Sequence, residues 1–398
     1  MKVKCRPTDF RVEELADARC DGGPFALYRL TKQSLGTPEA IEAICRAWRL
    51  RREAVGFGGL KDKHAATAQF VTIESGPRRA LRQKSFTLEY LGQASREFTS
   101  KDIVANRFEI VLRDLAASDA DEIIRELPSV SNDGVPNYFD DQRFGSVSES
   151  GDFVARPWCL GDYERALWLA IAEANEHDRG DVRDEKRAFR DHWKDWPACR
   201  RAAVRAVSRA VFERLCRQPT DFRGAFVRIP QPDRRMYLAA FQSAIWNRVL
   251  AATIRASVDA VNLFDVEIGR EQLPFYRTLR PAAVEGLSQP LPLPSARERH
   301  ELGPLTDLYE RVAAEFGLEG RTLRVKFPRD SFFSRGSRAA VFRPGSLSTS
   351  TGPDELAAST EGARNKLTLC FELPAGSYAT VLIKRLTEAP RLPHTGAS

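Results

Sequence analysis

Residues 58–69 read GGLKDKHAATAQ, which sets one carboxylate, Asp62, between Lys61 and Lys63, with His64 next and two glycines just before. Neighbouring cations favour the ionised form of a carboxylate, and glycines leave room for a substrate to approach the backbone. Asp62 is therefore a candidate functional carboxylate. Taken alone, the same residues also describe a surface turn with solvated charges.

Few other chemistries have a seat. Cysteines stand at positions 5, 20, 45, 159, 199, 216 and 370; none forms CxxC, and the odd count fits free thiols in a reducing compartment. His64, His177, His192, His300 and His394 make no HxH, HExxH or HxxxH pattern, so no metal site is expected. There is no GxGxxG or GxxxxGK[ST] loop, and no cofactor is expected; side chains should carry the reaction. A formal net charge of +7 and a pI near 9.1 favour a polyanionic partner. No apolar run approaches the roughly 20 residues of a membrane span. The N-terminal MKVKCRPTDFRVEE lacks the apolar core of a secretory signal, so a cytoplasmic protein without membrane contact is expected.

The elements that must hold Asp62 can be read around it. Thr37-Pro38 offers an N-cap hydroxyl and a proline at the first helical position, and Ile41, Ile44, Cys45 and Trp48 recur at helical spacing through Leu50. After the glycine-rich turn, Gln69–Ile73 and Ser85–Leu91 read as extended. Phe108, Ile110 and Leu112 alternate with Arg107, Glu109, Val111 and Arg113, as on a half-buried strand. Ser118 is expected to cap a helix, SDADEIIREL. GVPNYFDDQRFGS (134–146) embeds three aromatics in turn chemistry and reads as an ordered loop. Residues from about 160 to 260 read as helices: Val204, Val207, Val211 and Leu215 line one face, Arg201, Arg205 and Arg209 another. Leu273–Leu293, with four prolines, reads as irregular. Leu367, Leu369, Phe371 and Leu373 alternate strictly as a strand, and 346–365 reads as a mobile surface loop.

Five segments, in order, resemble the TruD family of tRNA pseudouridine synthases and its eukaryotic Pus7 relatives: DFRVEE (9–14), GFGGLKDKHAATAQ (56–69), NRFEIVLR (106–113), GVPNYFDDQRFG (134–145) and ELPAGSYAT (372–380). FQSAIWN (241–247) is similar to that family's QSxxFN helix, with Trp246 where phenylalanine is usual. The resemblance places the nucleophile at Asp62, after the lysine of GLKD. It implies that Asn106 and Phe108 contact the target base, that Phe10 and Glu14 belong to the same site, and that Lys4, six residues before Phe10, supplies a cation. The family's usual alanine before GLKD is Gly58 here, which should loosen the turn slightly. As isolated residues, Phe108 and Phe10 would read as core, Asn106 as a strand start and Lys4 as a solvated lysine.

The reaction the resemblance implies breaks uridine's N-glycosidic bond, rotates the detached uracil and joins C5 to C1′ of the same ribose. An aspartate can add to C1′ or C6, or stabilise cationic character at the sugar. Phe108 would hold the uracil ring, Asn106 its polar edge, and the base must be flipped out of the RNA fold.

The 398 residues exceed what one core usually serves, so two lobes are expected. The expected fold is α+β: a catalytic domain on a mixed, largely antiparallel sheet (1–155 and 332–398), interrupted by a mostly helical TRUD-type insertion (156–331), with RNA in the cleft between. The implied partner is tRNA, modified at uridine 13 of the D-arm region by a monomer. Two alternatives stand beside this: an RNA-binding or RNA-folding module with little catalysis, and the same reaction on other RNAs.

Overall fold

The structure is a computed structural model, which describes residues 1–295, 302–318, 323–327, 330–357 and 364–390. It is mixed α and β. Two compact units divide the chain, Met1–Val135 with Phe342–Ser398, and Pro136–Val341. Composition placed the divisions at 155/156 and 331/332. Packing places them 20 residues earlier and 10 later, because the aromatic loop after Gly134 packs with the helical unit although its composition resembles what precedes it.

The first unit holds a ten-stranded sheet. Its first eight strands are β1 (Lys2–Val3), β2 (Phe10–Ala16), β3 (Phe25–Gln33), β4 (Val55–Phe57), β5 (Ala66–Glu74), β6 (Leu81–Gln83), β7 (Phe86–Ala94) and β8 (Ile103–Leu115). The last two are Gly345–Pro353 and Asn365–Pro374. From one edge the order is Gly345–Pro353, Asn365–Pro374, β8, β2, β5, β3, β7, β6, with β1 joined to β8 and β4 to β5. Among the described residues of this sheet, only β2 and β5 pair in parallel. Period-two alternation sends Phe10, Val12 and Glu14 inward, with Arg11 and Glu13 on the opposite face.

Helix α1 (Thr37–Trp48) starts after Gly36 and ends where Arg49 turns left-handed at φ 54°. It buries Ala40, Ile41 and Ile44 against Tyr28, Leu30, Val71, Ile73 and Leu88, each fully buried large side chain contributing about 1.5–3 kcal/mol. Thr37 lies inside the helix rather than capping it, and its hydroxyl bonds elsewhere. Helix α2 (Ala117–Asp133) begins one residue before Ser118 and runs through Pro128 to a left-handed Gly134, because Val130 beyond the proline is buried.

Two irregular stretches are ordered instead. Gly345–Pro353 is a strand against Asn365–Pro374; its serines and threonines face outward along a sheet edge, which gives it the composition of a loop. Residues 358–363 of that segment lie outside the described residues. Within 273–293, Glu271–Tyr276 forms a hairpin with Leu263–Ile268, Pro281–Ser288 is helical, and Pro290–Pro292 pairs with Ser337–Ala339. A two-stranded ribbon has only edge strands, so Pro274 is tolerated there.

In the second unit the arginine stripe does not exist. The helix Trp196–Ala202 stops and a new one runs Ala206–Arg217, so Arg201, Arg205 and Arg209 share no helix face. Buried Glu185 causes the break by accepting from the N–H groups of Val204 (2.7 Å) and Arg205 (2.9 Å). It also pairs with the Arg205 side chain, while Arg209 donates to the carbonyls of Ala203 and Val204. Val204 consequently leaves the apolar face and is exposed. The aromatic loop is tied to Gln231–Ser257 by Asn247, which accepts from Phe139 N–H at 2.9 Å and donates to Phe139 O at 2.8 Å. Gln242 and Trp246 likewise donate to backbone carbonyls, so FQSAIWN is scaffold. Arg143 lies over the Phe139 ring at 5.3 Å. No helix among the described residues is long and apolar enough to cross a membrane.

Candidate active site

Asp62 sits on the loop between β4 and β5, and the loop is fastened from below. The Thr37 hydroxyl accepts from Lys61 N–H (3.0 Å) and donates to Gln69 Oε1 (2.9 Å), while Gln69 Nε2 donates to Gly59 O (3.2 Å). Lys32, at the end of β3, donates to Leu35 O (2.7 Å) and Asp62 O (3.1 Å). At Gly58 a methyl group would fall 2.5 Å from Ile103 Cδ1, so the space is filled by Ile103. The glycine admits this neighbour.

Among the described residues, the Asp62 carboxylate is held by Lys4 and by the His64 backbone. Lys4 Nζ lies 2.5 Å from Oδ2, and His64 N–H donates to Oδ1 at 2.8 Å. Burial pushes its pKa up, but the bond from Lys4, the bond from His64 and both their charges together outweigh that and hold it below the usual carboxylate range. Asp62 is ionised at neutral pH. Lys4 adopts a left-handed φ of 59° and also lies 4.2 Å from the centre of the Phe10 ring.

A second cluster adjoins the first. Asn106 and Phe108 on β8 stand opposite Glu14 and Val12 of β2. Lys61 Nζ donates to Asn106 Oδ1 at 2.6 Å and pairs with Glu14 Oε2 at 2.8 Å, the second contact lying outside hydrogen-bonding alignment. Glu14 Oε1 accepts from Phe70 N–H at 2.9 Å. Phe108 meets Phe10 edge-on, with ring centres 6.2 Å apart, and stacks on Phe371 at 5.4 Å and 22°.

All six expected residues therefore fall in one contact circuit: Phe108 to Phe10, Phe10 to Lys4, Lys4 to Asp62, and from the adjoining Lys61 to Asn106 and Glu14. Sequence reasoning missed Lys61 as a bridge, Phe371 as the stacking partner, and Lys32, Thr37 and Gln69 beneath the loop. Phe371 carried a signal, since it abuts the ELPAGSYAT segment. Lys32 carried none.

An ionised carboxylate held by a lysine beside aromatic rings and an amide suits attack on, or stabilisation of, a sugar–base unit. The family described as tRNA pseudouridine synthase D, TruD, matches residues 1–386. The chain belongs to the TruD family. It is 26% identical to the tRNA pseudouridine synthase D of Aquifex aeolicus, over 97% of this chain and 98% of that one. The tRNA pseudouridine synthase D of Leptospira interrogans is 25% identical, over 98% of this chain and 97% of its own. The crystal structure of TruD from Methanosarcina mazei superposes with a TM-score of 0.70, covering 97% of this chain and 93% of that one at 22% identity, which is a likeness of fold. As a TruD protein, the chain is a tRNA pseudouridine synthase, an isomerase.

Proposed function

We propose that the chain converts uridine 13 in the D-arm region of tRNA to pseudouridine, with Asp62 as the nucleophile and no cofactor. The observation that carries this reading is the Lys4–Asp62 pair, which keeps an ionised carboxylate at the edge of the Phe10–Phe108 cluster. The unit Met1–Val135 with Phe342–Ser398 is the catalytic one, and Pro136–Val341 is the insertion that engages tRNA. The cytoplasm, where tRNA is modified, suits a chain whose cysteines are all free.

The chemistry balances within the nucleotide. The N1–C1′ bond breaks, C5 bonds to C1′, the proton on C5 is lost and N1 gains one, so no atom or electron is gained overall. Asp62 supplies charge or a covalent hold while the base is detached. Because Asn106 Oδ1 already accepts from Lys61, the amide flip is fixed and its Nδ2 donors are presented to a uracil carbonyl. Phe108, backed by Phe371 and met edge-on by Phe10, supplies the apolar wall against which the ring turns.

Pseudouridine mapping in tRNA from cells with and without the gene tests the position. A signal at 13 that disappears with the gene supports the reading. Loss at another position, or in another RNA, reassigns the substrate, and no change anywhere favours a binding module.

A further inference from the structure

Lys32 is 1% exposed and its ammonium has no carboxylate within ion-pair distance among the described residues. Its donors go to three backbone carbonyls, Leu35 at 2.7 Å, Asp62 at 3.1 Å and Lys61 at a longer 3.4 Å. A buried cation without an ion-pair partner is costly, and a neutral amide could satisfy carbonyls at less expense. The charge itself therefore calls for an explanation. The Leu35 carbonyl anchors the ammonium beside the start of α1, and the other two belong to residues that form the site's contacts: Lys61 reaches Asn106 and Glu14, and Asp62 reaches Lys4.

We propose that Lys32 is a positioning residue whose ammonium form clamps the Lys61–Asp62 backbone and so aims the Asp62 carboxylate and the Lys61 bridge together. This rests on Asp62 being the nucleophile. The groups that face Lys32 are Asp62 and Glu39, which favour its charge, and Lys61, which opposes it; Glu39 in turn lies 3.9 Å from Lys63. Burial dominates and pulls Lys32 down to about 8. The clamp is thus largely in place at neutral pH and is released as pH rises through that range. The sign for stability is opposite. Between about 8 and the ordinary lysine value of 10.5 the unfolded chain binds more protons, so Lys32's own contribution to stability rises with pH. Release of the clamp therefore slows catalysis without Lys32 unfolding the protein.

The test is single-turnover pseudouridine formation on a tRNA transcript from about pH 6 to about pH 9, with tRNA affinity and melting temperature measured alongside. The wild-type rate falls above about pH 8 while affinity and melting temperature hold. Lys32→Met lowers the rate about tenfold or more at pH 7 with affinity within about twofold, an effect on aiming rather than binding. Lys32→Arg, charged throughout, recovers part of the rate and loses the alkaline fall. A wild-type rate in Lys32→Met, or an unmoved alkaline fall in Lys32→Arg, overturns the proposal. Should neither variant fold, a wild-type rate that is flat to pH 9 overturns it, and a fall at steady affinity and melting temperature supports it. Asp62→Asn, run in parallel, separates the two readings: its activity would remove the nucleophile assignment whatever the lysine variants do.

Discussion

Lys4 Nζ lies 2.5 Å from Asp62 Oδ2, an ion pair between residues 58 positions apart in the chain. Removing the cation leaves burial to push Asp62 upward, so its carboxylate protonates at higher pH. Lys4→Met should therefore shift the acid limb of the rate profile upward, activity being present above the Asp62 pKa and lost as pH falls through it. A charge-assisted hydrogen bond is worth about 1.5–3 kcal/mol, so a rate loss of about 10- to 100-fold at pH 7 is expected. Single-turnover rates across pH measure both.

Phe108 is covered on one side by Phe371 and met edge-on by Phe10. Phe108→Leu keeps most of the volume and removes the aromatic face. The single-turnover rate should drop by about tenfold, while tRNA affinity and its salt dependence stay near wild type, because no phosphate contact is lost. Affinity between 50 and 200 mM salt, measured beside the rate, checks this; an unchanged rate would place Phe108 in the core alone.

Arg113 joins the strand that carries Asn106 to both ends of its sheet neighbourhood. It pairs bidentately with Asp9 (2.9 and 2.8 Å) and with Asp354 (2.7 Å), all three buried, and with exposed Glu355 at 3.2 Å. Arg113→Met strands two buried carboxylates, and a loss of about 3–5 kcal/mol in unfolding free energy is expected by urea titration. Burial raises Asp9, but its bonds from Arg113 and Arg6 leave it lowered, and Asp354 is lowered likewise. Their stabilisation is present above the ordinary value of 3.8 and disappears as pH falls through the lower folded values. In Arg113→Met that acid dependence should flatten.

How far the site was legible follows from where each partner lies. Asp62 stood out by its flanking lysines and glycines, whereas Asn106 and Phe108 entered only through the resemblance, since alone they read as a strand start and as core; the face shared by Phe10, Phe108 and Phe371 follows from strand alternation. Lys32 was not, because its acceptors are backbone carbonyls, which no residue pattern records. Thr37 was read as a cap, yet its hydroxyl serves Lys61 and Gln69 across the fold. The Arg201/Arg205/Arg209 stripe failed for a similar reason: Glu185, about 20 residues away, takes the N–H groups that would have continued the helix. Gly345–Pro353 was hidden by its position at an edge, where polar side chains on a strand look like a loop.

The donors around Asp62 are a lysine and a backbone N–H. With tRNA folded beforehand, EDTA should leave the rate unchanged. A loss that zinc alone restores would require a metal site elsewhere in the chain.

The proposed reaction turns on the Asp62 carboxylate. Asp62→Asn keeps the side chain's size and removes its charge, so pseudouridine at position 13 of a tRNA transcript should fall below detection, with melting temperature and tRNA affinity close to wild type. Turnover near the wild-type rate in that variant would exclude Asp62 as the nucleophile.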